Sequence, residues 1–65
     1  MTTKITPTDI TRYFRFADED RESAFEAASE GDWAAYDRLI HCAKTHEATA
    51  HAFQREWVLE TRPAT

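Results

Sequence analysis

One glycine decides most of what this chain can become. Gly31 is the only glycine in 65 residues, and Pro7 and Pro63 are the only prolines. Sandwiches, barrels and meanders need repeated turns, and turns draw on glycine and proline. A chain with so little turn material reads as all-α. The same scarcity excludes a glycine-rich phosphate loop.

The sharpest punctuation is Glu30-Gly31-Asp32-Trp33. Gly31 can end one helix in the left-handed conformation, and Asp32 can cap the next at once. Upstream, Thr6-Pro7-Thr8-Asp9 reads as a helix start: Thr6 caps, Pro7 fits the first helical position, and Asp9 meets free N–H groups. Apolar residues follow at helical spacing at Ile10, Phe14, Ala17, Ala24 or Phe25, and Ala28. Arg21 interrupts that stripe. Asp18 could cap a fresh helix, so a break near Ala17-Asp18 is allowed.

From Asp32 to Arg62 there is neither glycine nor proline. Trp33, Tyr36, Leu39, Ile40, Ala43, Ala50, Phe53 and Trp57 fit one stripe of a long helix. Lys44-Thr45-His46-Glu47 is its weakest stretch, where Thr45 could cap a new start. The expected fold is an antiparallel helical hairpin with its corner at Gly31. A split of the first arm near Asp18 would make it a three-helix arrangement. A competing assignment makes Arg12 to Phe16 a strand paired with Trp57 to Thr61, but the Thr6-Pro7 start and the stripe continuing past Phe16 favour helix. One domain spans residues 1–65, with 1–5 and 61–65 expected to fray.

Such a short chain has a marginal core and usually needs a staple. Cys42 is the only cysteine, so no disulfide can form within the chain. A lone thiol fits a reducing compartment, with the cytoplasm the default. No stretch is apolar enough for a membrane span, and the first residues do not resemble a signal peptide. The formal net charge is −4, which opposes non-specific binding to nucleic acid or an anionic membrane.

The charge is unevenly placed. Residues 18–32 hold seven acids against Arg21 alone, and the rest of the chain holds five acids and seven bases. Asp18, Glu22, Glu26 and Glu30 recur every four residues and form a ridge on a helix. Like charges at that spacing repel by a few tenths of a kcal/mol per pair. The ridge is therefore a candidate surface for a basic protein partner, set against the plain alternative of a solvated face. Aromatic residues are in surplus: Tyr13 and Phe16 lie outside a single stripe, and Trp57 ends one. These three are candidates for partner binding or for a homodimer contact.

The alternative function is RNA binding. Folding at Gly31 is expected to bring Arg12 and Arg15 towards Ala48, His51 and Arg55, with Tyr13 and Phe16 near enough to stack on unpaired bases. In length, bend position and the run Arg12-Tyr13-Phe14-Arg15, such a hairpin resembles in outline the Rop-type RNA-binding hairpins, which pair into four-helix bundles. The likeness does not extend to their heptad cores, because the apolar positions here are rich in aromatics.

Chemistry has little foothold. Cys42 and His46 could share a helix face, but His41, His46 and His51 are spaced by five and rotate apart. A structural zinc needs four converging ligands, so no metal and no cofactor are expected. Ser29, His41 and Asp37 can be named as a triad on paper, without a nucleophile elbow or oxyanion glycines. The chain therefore reads as a small acidic interaction module, an adaptor or inhibitor that occupies a partner's surface, and not as an enzyme. Short acidic chains of this kind are common among phage and mobile-element regulators.

Overall fold

A computed structural model describes residues 5 to 62, and it consists of two helices packed against each other as a hairpin. Helix α1 spans Pro7–Ser29 and helix α2 spans Trp33–Thr61. The expected fraying of residues 1–4 and 63–65 lies outside the described residues. The hairpin is a rod of 53 × 24 × 15 Å, as two long helices side by side require.

α1 begins with a reciprocal cap. The Asp9 N–H donates to the Thr6 hydroxyl at 3.3 Å, and the Thr6 N–H donates to Asp9 Oδ2 at 3.1 Å. Two otherwise orphaned amides are satisfied this way. The bond from the Thr6 amide, then that from its hydroxyl, holds the Asp9 carboxyl below its ordinary value of 3.8. Pro7 has no N–H to lose at this position.

The far end of α1 closes by a left-handed return. The Asp32 N–H donates to the Ala27 carbonyl at 2.8 Å and the Gly31 N–H to the Ala28 carbonyl at 3.0 Å. This pair of bonds places Gly31 at φ 76, a conformation a β-carbon disfavours. The Asp32 side chain accepts from the Ala35 N–H at 3.2 Å and starts α2. A β-carbon at residue 31 would meet nothing within 4 Å. Gly31→Ala should therefore cost about 1 kcal/mol through the backbone alone, read as a lower urea midpoint with an unchanged slope. An unchanged midpoint would show that residue 31 is not left-handed.

Neither arm breaks. α1 runs unbroken through Asp18, and residues 12–16 and 57–61 are helical. The expected interruption at Arg21 is bridged from the other helix, since its guanidinium finds Glu47. The Lys44–Glu47 stretch is also continuous. The Thr45 hydroxyl donates to the His41 carbonyl at 3.0 Å, and Thr49 to the Thr45 carbonyl at 3.1 Å. These threonines bond back along the helix instead of capping a new one. Thr61 does the same with Trp57 at 2.8 Å, so α2 reaches one residue into the expected loose tail.

The buried side chains are few and small. Ile10, Ala17 and Ala24 are buried on α1, and Ala43 and Ala50 on α2. The first three are seven residues apart, as are the last two. A seven-residue alanine repeat on both helices makes a narrow seam and lets the axes approach closely, because interaxial distance follows the side chains at the contact. Among the described residues no large side chain is fully buried. All eight aromatic rings keep contact with solvent, and Phe25 and Trp33 are 75% and 60% exposed.

Candidate functional site

Between the alanines lies a charged layer. His46 Nδ1 donates to Asp20 Oδ2 at 2.8 Å, and Arg21 Nη2 donates to Glu47 Oε2 at 3.1 Å. A carboxylate can only accept, so Nδ1 carries the ring proton here. The four side chains are 22–39% exposed, half-buried between Ala17 and Ala24 on one side and Ala43 and Ala50 on the other. Such a pair contributes little net stability, but it selects a register. Sliding α2 by one heptad would set Asp20 and Arg21 against Leu39 and Ile40, or against Phe53, and leave charges unpaired.

This layer corrects the pairing expected from a fold at Gly31. Asp20, Arg21 and Tyr13 meet partners on α2 about one turn further along than a symmetric bend would place them, while Phe16 meets His46 close to the symmetric position. Tyr13 meets Phe53 with ring centroids 5.3 Å apart, and Phe14 meets His51 at 5.2 Å.

Tyr13 stands edge-on to both Phe53 and Phe16, and Phe16 lies 5.5 Å from the His46 ring. Tyr13 is half-buried in this cluster, while Phe16 is 37% exposed at its edge. Trp57 is half-buried and lines a cleft with Ile5, Thr6, Pro7, Glu60 and Thr61, where the start of α1 meets the end of α2. Of the three aromatics set apart from the sequence, Tyr13 thus packs chiefly within the hairpin.

The arginines divide between two surfaces. Arg12 and Arg15 line a depression with Pro7, Thr8 and Thr11 on α1. Arg55 lines another with Gln54, Val58 and Leu59 on α2. His41, His46 and His51 are spread along α2, with His46 engaged by Asp20. Among the described residues no three His, Cys, Asp or Glu side chains form a group that could hold a metal ion. No described helix is long and apolar enough to cross a membrane.

Asp18, Glu22, Glu26 and Glu30 are all exposed on the side of α1 turned away from α2. None of the four is in an ion pair among the described residues, whereas Asp20 and Arg21 on the inner side are paired with His46 and Glu47. The ridge therefore presents its carboxylates outward. Comparison of the chain with protein-family models, curated proteins and solved structures finds no match.

Proposed function

We propose that this protein is a small interaction module that binds a basic protein surface through Asp18, Glu22, Glu26 and Glu30, acting by occupancy and not by catalysis. The observation that carries the reading is the contrast between the two sides of α1. Asp20 and Arg21 on the inner side are bonded across the seam to His46 and Glu47, while the four carboxylates of the outer ridge are in no ion pair among the described residues. A helix under no demand on that face would gain from mixed charges at four-residue spacing, since repulsion costs a few tenths of a kcal/mol per pair. A concentrated negative surface also raises the rate of encounter with a cationic partner and makes that rate fall with salt. An adaptor or inhibitor role in the cytoplasm suits a rod whose depressions are shallow and lined mostly by one helix at a time.

The test is Glu22→Gln, Glu26→Gln and Glu30→Gln together. Helicity should stay the same or rise slightly. Basic proteins captured by the wild type from a cell extract should be lost, mainly through a slower on-rate. The RNA-binding reading places the active surface at Arg12 and Arg15 instead. If the triple variant retains its partner while Arg12→Ala and Arg15→Ala abolish binding, the ridge is a solvated face and RNA becomes the first reading.

A further inference from the structure

α2 carries a second patterned face, turned away from α1. Trp33, Asp37, Lys44, Ala48, Arg55 and Leu59 are all exposed. They follow one another at intervals of four, seven, four, seven and four residues. Intervals of four and seven lie close to whole helical turns, so the six form one stripe. The intervals read the same from either end. The chemistry is complementary from end to end as well: a large apolar group at both ends, an acid inside one, a base inside the other, and a small residue beside a lysine stem at the centre.

We infer that this stripe is a self-complementary interface whose occupant is a second copy of the chain. The two α2 helices run antiparallel about a two-fold axis passing between Lys44 and Ala48. In that arrangement Trp33 of one copy meets Leu59 of the other, Asp37 meets Arg55, and the Lys44 stem crosses Ala48. Symmetry makes each contact twice. The parallel alternative would set Asp37 on Asp37 and Arg55 on Arg55, which charge forbids.

Three features of the surface support that occupant. Trp33 is 60% exposed, and its ring rests against Tyr36 at 5.6 Å, which holds it outward as an anchor. The place it would reach is an apolar depression lined by Gln54, Arg55, Val58 and Leu59, where Leu59 is 77% exposed. Arg55 there can also lie over the indole face. Second, Asp37 and Arg55 are in no ion pair among the described residues. Third, the middle of the stripe is a shallow trough lined by Lys44, Thr45, Ala48, Thr49 and Ala52 with His41. Small residues there allow close approach, as the alanine seam does inside the hairpin. The pairing does not use the acidic ridge, which lies on the far side of α1, so the inference stands apart from the proposed function. A dimer built this way would carry two ridges facing outward.

Sedimentation equilibrium of the full chain at micromolar concentration should show a dimer. Asp37→Arg alone and Arg55→Asp alone should each weaken self-association roughly tenfold, since two ion pairs become two like-charge contacts. Mixed together, the two single variants should form a heterodimer close to wild-type strength, because one contact is then the native Asp37–Arg55 pair and the other the same pair with its charges exchanged. Trp33→Ala should weaken the dimer by roughly a hundredfold while far-UV circular dichroism shows the helices intact. The Glu22, Glu26 and Glu30 triple variant should leave the dimer unchanged. A helical monomer throughout the micromolar range overturns the inference. So do charge variants that self-associate like the wild type or fail to pair when mixed, and so does a dimer that the triple variant dissociates.

Discussion

Ala43→Leu should destabilise the hairpin by about 1–3 kcal/mol, the usual range for an overpacked core. Ala43 is fully buried, in a seam whose narrowness depends on the alanines at positions 17, 24, 43 and 50. A leucine there adds three carbons to a buried position, so accommodating it means prising the helices apart. That loosens Ala24 and Ala50 and weakens the charged layer one turn away. For a domain of this size each kcal/mol corresponds to about 4–8 °C in Tm, and the stability available is small to begin with. Thermal unfolding followed by circular dichroism would read the effect. Ala34→Leu is the control, since Ala34 lies on the same helix and is exposed; it should stay within about 0.5 kcal/mol of the wild type. Equal melting of the two variants would mean that the alanine seam does not exist.

Tyr13→Ala should cost about 2 kcal/mol. Full truncation of a core aromatic costs about 3–5 kcal/mol, and Tyr13 is only half-buried. Its ring nonetheless joins the helices near their open end, edge-on to Phe53 at 5.3 Å and to Phe16 at 5.6 Å. Tyr13→Phe keeps the ring and should change stability little. In a double-mutant cycle, Tyr13→Ala and Phe53→Ala should show a coupling of about 0.5–1.5 kcal/mol. Independent effects, or a neutral Tyr13→Ala, would return this ring to the surface and make it a partner-binding residue after all. This experiment thus separates packing from recognition at a position where sequence composition suggested recognition.

The two ends of α1 were legible because they are local. The Thr6–Asp9 cap and the return around Gly31 are each made within a few neighbouring residues, and their residue types carry the geometry directly. The acidic ridge was legible for the same reason, since four-residue spacing alone puts Asp18, Glu22, Glu26 and Glu30 on one face. Helix phase was harder to read. The pattern allowed either Ala24 or Phe25 to face inward, and it counted Trp33 in the inner stripe. Burial of Ala24 and exposure of Phe25 and Trp33 follow from the small side chains that the seam admits. Hydrophobicity alone ranks the larger residue first and points the wrong way.

The sequence by itself therefore determined that this protein is helical, that it turns near its middle, and that one helix carries a ridge of acids. Its single glycine, its caps and its periodicity act over one or two turns of chain, where spacing is geometry. Only the tertiary structure decided the register. Asp20 finds His46 and Arg21 finds Glu47 across 26 residues of sequence, and no local rule selects those partners over others a turn away. The choice belongs to the pair of helices together. Alanines set how closely they approach, the return at Gly31 sets the level at which α2 starts, and half-buried charges reject every alignment that leaves them unpaired. The same choice fixes which side of α2 is left facing outward, and with it the surface open to a second copy.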